Sequence, residues 1–363
     1  MTFDYQARMD RARTELAATG ADVLLTSVGS DLPYLTGYEA TPLERLTMAV
    51  IPRGGMPVLV VPELEAPRVE SRPGVFDVRP WGETEDPVAI VADLVGPADR
   101  AMIGDHTWAV FLLALQEAMT GTRFESARSV TEALRVIKEP EEIELLRRAG
   151  ASADRVAALL ADHQFSGMTE SQISRDVGAF LETNGTDIAT FAIVASGPNG
   201  ASPHHEPGDR IVGQGDAVVV DFGGKVGGYT SDTTRTFHVG EPSAHYREVH
   251  EIVRSAQKAA VAAVRPGVSA ESVDAEARRV ISDADYGEYF IHRTGHGIGL
   301  DTHEDPYLVQ GNSQELAPGM AFSIEPGIYL PDEFGVRIED IVVCTEDGVE
   351  RLNQSTRQIV IVQ

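Results

Sequence analysis

The chain has 363 residues, 42% of them hydrophobic and 24% charged, which is the composition of a folded globular protein without low-complexity segments. One ordinary hydrophobic core does not fill this length, so we expect two domains. The formal net charge of −26 would repel nucleic acid and anionic membranes, and it argues against both as partners.

Nothing in the sequence indicates secretion or insertion into a membrane. The N-terminal residues lack the basic and apolar regions of a signal peptide, and no apolar run approaches the length that spans a bilayer. We therefore expect a cytoplasmic protein. The single cysteine, Cys344, cannot form an internal disulfide, and its apolar neighbours indicate a buried thiol in a strand.

The first third of the chain alternates helix and strand signals. Residues 3–19 have the Arg, Ala and Leu content of a helix that ends at Gly20, and residues 22–26 predict the first strand. Further strands are predicted at residues 47–52, 57–62, 76–79, 101–104 and 123–126, with helices at residues 87–94 and 108–119. This alternation predicts an α/β domain.

A domain boundary is predicted next to Pro140, which can occupy the first position of a helix that the following acids favour. The two predicted domains are residues 1–137 and 138–363. A second helix should begin after Thr169, because Gln172 lies three residues further on and completes a capping box. The helix that begins at Pro140 is predicted over residues 140–163. After the helix that follows Thr169, the sequence predicts a strand at residues 191–195 and helices at residues 244–264 and 270–283.

Two aspartates follow an apolar run that predicts a buried strand, residues 217–220. Asp221 ends this strand, and Asp232 lies in a Thr-rich segment beyond a Gly-rich turn. Taken alone, such a pair is more typical of a hairpin whose acids lie in solvent. If both are buried, each costs several kcal/mol unless a cation neutralises it.

Three later segments make a cation site the better interpretation. Residues 292–303 contain three histidines, and Glu325 and Glu339 each occupy a strand position that an apolar residue would normally fill. Four carboxylates and one imidazole form an oxygen-rich set that suits Mn, Co, Fe or Zn. This set is too large for one catalytic ion with an open coordination position, so it favours two ions that share a water molecule.

The chain resembles the pita-bread metallopeptidases, which include methionine aminopeptidase, aminopeptidase P and prolidase, with creatinase as a metal-free relative. The resemblance rests on the ordered set Asp221, Asp232, His296, Glu325 and Glu339 and on the motifs Asp-Phe-Gly, Ser-Asp-Thr-Thr-Arg, Thr-Gly-His-Gly-Ile-Gly, Glu-Pro-Gly and Arg-Ile-Glu-Asp. Residues 20–25 and 34–38 are similar to the N-terminal domain of aminopeptidase P, prolidase and creatinase. The implied fold is a creatinase/prolidase-type α/β domain followed by an α+β pita-bread catalytic domain.

The resemblance also implies which residues hold the metals. Asp221 would bind one ion, His296 and Glu325 the other, and Asp232 and Glu339 would bridge the two. We expect both ions to be Mn or Co, with Zn and Fe as alternatives.

Catalytic and substrate-binding roles follow from the same likeness. Glu325 would accept the proton of the nucleophile, while His204 and His303 would hydrogen-bond the substrate carbonyl and the developing oxyanion. His292 would lie near the substrate. Arg337 and Thr234 would each orient a bridging acid, and Arg337 could instead bind the substrate. The neighbouring His205 receives no role.

The implied substrates are peptides with proline at the second position. A dipeptidase of the prolidase type is favoured by the compact length, and an aminopeptidase P acting on longer peptides is the alternative. A dipeptidase needs a cation for the product's carboxylate, and Arg293 and Arg337 are the candidates. Another hydrolase or lyase of this fold, a metal-free creatinase-like enzyme and a non-catalytic binding protein are further alternatives. Family likeness implies a homodimer.

Overall fold

A computed structural model describes residues 3–363 of the protein. Internal contacts divide the chain into two units, one ending at Arg135 and the other comprising Val136–Gln363. The predicted domain boundary after residue 137 lies close to this division and stays a prediction. Within the described residues, every helix is too short or too polar to cross a lipid bilayer.

The first unit is an α/β domain, as predicted, built on a six-stranded mixed sheet in the order β4-β3-β2-β1-β5-β6. Its elements are α1 (Tyr5–Thr19), β1 (Val23–Thr26), α2 (Asp31–Thr36), β2 (Met48–Pro52), β3 (Val58–Pro62), β4 (Asp77–Trp81), α3 (Pro87–Val95), β5 (Arg100–Ile103), α4 (Ala109–Ala118), β6 (Arg123–Ser126) and α5 (Arg128–Arg135). The two short helices α2 and α5 were not predicted. Both are shorter than the windows over which helical periodicity is recognisable.

The second unit contains two mixed or antiparallel sheets, in the orders β18-β10-β8-β7 and β12-β11-β13-β16-β17, and the separate hairpin β14-β15. Its elements are α6 (Pro140–Ala161), α7 (Glu170–Thr183), β7 (Ile188–Ser196), β8 (Ala217–Val226), β9 (Tyr229–Thr230), β10 (Thr233–Val239), α8 (Ala244–Ala263), α9 (Ala270–Ser282), β11 (Gly295–Gly297), β12 (Glu304–Leu308), β13 (Ala321–Ile324), β14 (Gly327–Leu330), β15 (Phe334–Arg337), β16 (Asp340–Thr345), β17 (Gly348–Arg351) and β18 (Val360–Val362). Short β9 pairs with β8.

The predicted capping box is present at the start of α7. The Thr169 hydroxyl accepts from the Gln172 amide at 3.2 Å, and the Gln172 side chain accepts from the Thr169 amide at 2.8 Å. These two bonds satisfy backbone donors that a helix start leaves without partners, a contribution of about 1 kcal/mol. Pro140 begins α6, again as predicted. The residue after Thr169, Glu170, is therefore held at the first turn of α7.

In the second unit, helices cover one face of each of the two larger sheets, and acidic residues lie on the opposite face. In β8, Val218, Val220 and Phe222 belong to the core that α6 and α7 cover. Because side chains of a strand alternate between its faces, Asp221 lies on the opposite face. In the second sheet, Phe322 and Ile324 of β13 lie in the core beneath α8 and α9. Because strand side chains alternate, Glu325, the residue that follows β13, lies on the opposite face.

Candidate metal centre

A cleft in the second unit has a cavity volume of about 440 Å³. Its lining includes every residue that the sequence assigned to metal binding, catalysis or substrate binding: His204, Asp221, Asp232, His292, His296, His303, Glu325, Arg337 and Glu339. Phe191, Ile193, Pro203, Arg293 and Thr302 complete it. The lining therefore combines charged side chains with an apolar wall, the name used below for Phe191, Ile193 and Pro203. Small-molecule sites commonly combine the two.

Strand register brings the two aspartates to this cleft. Asp221 of β8 lies opposite Thr234 of β10 and Ile193 of β7, and Asp232 lies one residue before β10. The hairpin that the sequence predicted is present, but its acids are not in solvent. Asp232 is only 4% exposed.

Two glycines explain how His296 fits at the centre of the second sheet. Strand β11 lies between β12 and β13, and Gly295 and Gly297 flank His296. A Cβ atom on Gly295 would overlap the carbonyl of Ser323, and one on Gly297 would overlap the carbonyl of Asp305. The Gly-His-Gly sequence is therefore needed for the close backbone approach that places this imidazole.

The predicted metal ligands converge in overlapping groups, each with its ligand atoms within 4.8 Å of one another. The groups are Asp221, Asp232 and Glu339; His296, Glu325 and Glu339; and Asp232, His296 and His303. The third group includes His303, to which the sequence had assigned catalysis rather than metal binding. Acids from both sheets thus share one small volume.

Two carboxylate oxygens show that this volume suits cations. Asp221 Oδ1 and Glu339 Oε1 are buried, and within residues 3–363 neither has a hydrogen-bond partner. A buried carboxylate oxygen without a partner costs free energy, and hydrogen bonds or metal ions normally remove that cost. Both residues belong to the ligand groups just described. The residues present therefore fit divalent ions.

The ionisation of the acids gives the same indication. Burial raises the pKa of Asp232 well above its usual range, and the neighbouring charges of Glu339 and Asp221 raise it further. Burial and the charges of Glu325 and Asp221 likewise raise the pKa of Glu339. Crowded carboxylates cannot all ionise in a buried site unless cations compensate them.

Arg337 lies among these acids and is 3% exposed. Its Nη2 donates to Asp221 Oδ2 at 2.8 Å, and its Nε donates to Thr234 Oγ1 at 3.0 Å. The Thr234 hydroxyl in turn donates to Glu339 Oε2 at 2.7 Å. Thr234 thus contacts Glu339, one of the two acids expected to bridge the ions, whereas Arg337 contacts Asp221, which the sequence assigned to a single ion. The orienting role of both residues stays a prediction. A direct role of Arg337 in substrate binding stays a prediction.

His292 is held by two hydrogen bonds within the protein. Its Nδ1 lies 2.7 Å from the Arg293 carbonyl, which only accepts, so Nδ1 carries the proton. Nε2 then accepts from the hydroxyl of Tyr329 at 2.7 Å, while Tyr329 accepts from Arg337 at 3.0 Å. Burial lowers the pKa of His292, in keeping with a neutral ring. A hydrogen bond from His292 to substrate would have to replace one of these contacts.

Sequence reasoning missed Tyr329, although it follows the Glu-Pro-Gly motif by two residues. A tyrosine in an apolar strand usually indicates core packing, so the sequence contained no distinguishing signal. Its hydroxyl joins His292 to Arg337, and burial raises its pKa to about 12. The hydroxyl therefore stays protonated and can act as the donor to His292.

The other two histidines line the cleft from exposed positions. The ring of His303 lies 4.1 Å from the ring of His296, centroid to centroid. Desolvation in the cleft and the neighbouring His296 lower the pKa of His303 to about 4, so its ring is neutral near pH 7. Within residues 3–363, no hydrogen bond holds the ring of His204. Both rings can therefore offer an N–H group to a ligand.

Two family models match the sequence of the chain. Residues 144–346 match metallopeptidase family M24, and residues 8–137 match the creatinase/prolidase N-terminal domain.

Proteins similar along their whole length are also known. A probable dipeptidase PepE of Mycobacterium tuberculosis is 43% identical over 99% of this chain and 96% of its own length. An Xaa-Pro dipeptidase of Lactobacillus helveticus is 37% identical over 98% of both chains. Among solved structures, a prolidase from Thermococcus sibiricus superimposes with a TM-score of 0.95 at 37% identity, covering 100% of both chains. The expected two-part fold is thereby confirmed.

Proposed function

The protein belongs to metallopeptidase family M24, and from this premise we propose that it is an Xaa-Pro dipeptidase that hydrolyses the peptide bond before proline. The proposal depends above all on one observation, the convergence of four carboxylates and an imidazole in a cleft. Relatives named Xaa-Pro dipeptidase and prolidase support the choice of substrate.

The metal ligands in this proposal are the five residues chosen from the sequence, namely Asp221, Asp232, His296, Glu325 and Glu339. Their oxygen-rich composition favours two Mn or Co ions, with Zn or Fe as alternatives. Bound there, the two ions would supply hydroxide near neutral pH and polarise the scissile carbonyl.

Protein side chains would accept the proton of the nucleophile and orient the reacting groups. Glu325 lies at the cleft and would accept the proton of the attacking water. His204 and His303 would donate hydrogen bonds to the substrate carbonyl and the oxyanion. Arg337 and Thr234 would hold Asp221 and Glu339 in place through the bonds described above.

The apolar wall of the cleft suits a proline-containing dipeptide. Phe191 and Ile193 of β7 and Pro203 are half-buried and line the cleft beside the acids. Apolar rings and branched side chains can pack against a pyrrolidine ring or a small first residue without offering it hydrogen bonds. The nitrogen of the substrate's proline carries no N–H in the scissile bond. An apolar surface can therefore cover this nitrogen without leaving a hydrogen-bond donor of the substrate unsatisfied.

Arg293 distinguishes a dipeptidase from an aminopeptidase for longer peptides. Its guanidinium lies 4.3 Å from the ring centroid of Tyr307 and lines the cleft. Within residues 3–363 it forms no ion pair, whereas Arg337 is enclosed and paired with Asp221. A free cation at the cleft can receive the terminal carboxylate of a dipeptide, which a longer peptide does not offer at that place.

Replacing Arg293 with Met should raise KM for Ala-Pro roughly 10- to 100-fold, because a hydrogen bond to a charged group contributes about 1.5–3 kcal/mol. Steady-state kinetics should show a much smaller change in kcat, and Arg293→Lys should keep part of the affinity. Arg254→Met, on α8 and paired with Glu251, is the matched control that should behave like the wild type. If Arg293→Met weakens Ala-Pro and Ala-Pro amide equally, the carboxylate contact is wrong.

The function itself is tested with a set of peptides. Purified protein incubated with Mn or Co should hydrolyse Ala-Pro fastest, Ala-Pro-Ala much more slowly and Ala-Ala hardly at all. Preferred turnover of Ala-Pro-Ala would favour the aminopeptidase P alternative. Hydrolysis of no proline peptide under either metal would contradict the proposal and favour another reaction of the fold or a binding function.

A homodimer and a cytoplasmic location stay part of this proposal as predictions from the sequence. The chain has a mass of 39.1 kDa, so light scattering of the purified protein distinguishes a monomer from a dimer directly. Cell fractionation tests the location.

A further inference from the structure

A buried carboxylate outside the cleft gathers donors from one loop. Glu170, in the first turn of α7, is 0% exposed. Its Oε1 accepts from the Ser196 amide and hydroxyl, both at 2.7 Å, and from Asn199 at 3.0 Å. Its Oε2 lies 2.9 Å from His205 Nε2 and 3.2 Å from the Gly208 amide, which donates to it. One side chain thus binds four residues of a single segment.

That segment, residues 196–208, is called the 196–208 loop below. Ser196, the last residue of β7, lies at its start, Asn199 in its first half and Gly208 at its end, so Glu170 holds the loop at several points. Ser171, the next residue of α7, adds a hydroxyl bond to the Gly208 carbonyl at 2.9 Å. The start of α7 therefore determines the path of the loop.

The loop carries His204 and Pro203 into the cleft. Because no hydrogen bond within residues 3–363 holds the ring of His204, its position depends on the backbone that bears it. The adjacent His205 points instead to Glu170, with which it forms an ion pair when protonated. The sequence assigned no role to His205. Through its hydrogen bond to Glu170, His205 links that carboxylate directly to His204, its neighbour in the chain.

Glu170 has the charge that this arrangement needs. Burial raises the pKa of Glu170, but the hydrogen bonds from Ser196, His205 and Asn199 outweigh burial and lower it. An ionised carboxylate accepts at both oxygens, whereas a glutamine would turn an NH₂ group toward donors. The charge, the burial and the loop geometry therefore agree.

We propose that Glu170 and His205 are positioning residues that hold His204 at the substrate. This inference rests on the proposed function, in which His204 contacts the substrate carbonyl. Neither residue lines the cleft, so their effect on the reaction passes through the 196–208 loop.

Kinetics of the metal-loaded enzyme test the proposal. Glu170→Gln should lower kcat for Ala-Pro roughly 10- to 100-fold with bound metal unchanged, and His205→Ala should lower it about fivefold. His205→Gln, whose amide can reach the position of Nε2, should restore most of the rate. The matched control is Glu271→Gln, an acid in the first turn of α9 that binds Gly311 away from the cleft and should leave kcat unchanged.

A double-mutant cycle separates positioning from general damage to the fold. If Glu170 acts through His204, Glu170→Gln should change kcat less than about twofold in a His204→Ala background. If the fold-changes in kcat caused by Glu170→Gln and His204→Ala multiply in the double mutant, the two residues act independently and the proposal is overturned.

Hydrogen exchange provides a measurement that does not need activity. In Glu170→Gln, amides of residues 196–208 should exchange at least about tenfold faster, while those of residues 217–236 should not change. Unchanged exchange in the 196–208 loop would also overturn the proposal. If the wild type hydrolyses no proline peptide, the assigned function fails, and this exchange result still decides whether Glu170 holds the loop.

Discussion

Replacing Glu339 with Gln is expected to lower kcat/KM for Ala-Pro by about 10³- to 10⁴-fold, equivalent to about 4–5 kcal/mol of transition-state stabilisation. Glu339 is 1% exposed, and its Oε2 is already occupied by the Thr234 hydroxyl at 2.7 Å. The remaining oxygen, Oε1, has no protein partner among the described residues, and Glu339 belongs to two of the ligand groups. A glutamine would bring an NH₂ group or a neutral oxygen to this point, and neither replaces the carboxylate that we propose as a metal ligand.

Metal analysis and steady-state kinetics of the purified variant test this prediction together. Bound metal should fall below that of the wild type in parallel with activity. Glu350→Gln, a partly exposed glutamate that pairs with Arg147, is the control and should retain both. Full metal content with full activity in Glu339→Gln would show that this glutamate is not a metal ligand.

Removing the metals is expected to lower the melting temperature at pH 8 by roughly 5–10 °C for each ion lost. An ion present at about 100 times its Kd stabilises the folded state by about 2.7 kcal/mol, and about 1 kcal/mol shifts the melting of a unit of this size by about 2–4 °C. Without ions, the crowded acids Asp221, Asp232, Glu325 and Glu339 have the Arg337 guanidinium as their nearby permanent cation. Thermal unfolding with and without EDTA measures the difference.

The melting temperature of the metal-free protein should fall as the pH rises. In the metal-free protein, burial raises the pKa of Asp232 and Glu339 above their ordinary values. The folded state therefore binds protons more readily than the unfolded state, and stability is lost as pH rises through the raised pKa values. The metal-free protein should melt at a lower temperature at pH 8 than at pH 5, and the effect of EDTA should shrink at pH 5 because protons compete with metal.

A melting temperature that EDTA lowers equally at pH 5 and pH 8 would contradict this account. The Glu339→Gln variant provides an internal check, because it removes one of the crowded charges. Its metal-free form should lose less stability between pH 5 and pH 8 than the metal-free wild type.

Most regular elements were predictable because their signals are local. The capping box at Thr169 and Gln172, the proline that begins α6 and the apolar runs of β8 lie within a few residues of what they specify. The short helices α2 and α5 were missed because so few residues cannot establish a helical period.

The members of the candidate site were also predictable, for a physical reason. Buried acids such as Asp221 in β8 and Glu339 are too costly to keep unless a cation compensates them. The sequence predicted a strand position for Glu339, but the structure places it between β15 and β16. The histidines of residues 292–303 added an imidazole, which is a common ligand of transition metals. The resemblance to a known family then supplied the order and the expected roles.

What the sequence determined by itself is thus the identity of the ionisable groups that a buried site could tolerate. Tertiary structure alone decided their partners: Arg337 is paired with Asp221, Tyr329 reaches His292, and Glu170 meets His205 across 35 positions. Periodicity states which face of a strand a side chain occupies, but strand register and loop path set which distant side chains come within hydrogen-bond distance. Strand register and loop path depend on the packing of the whole unit, and no local stretch of sequence specifies that packing.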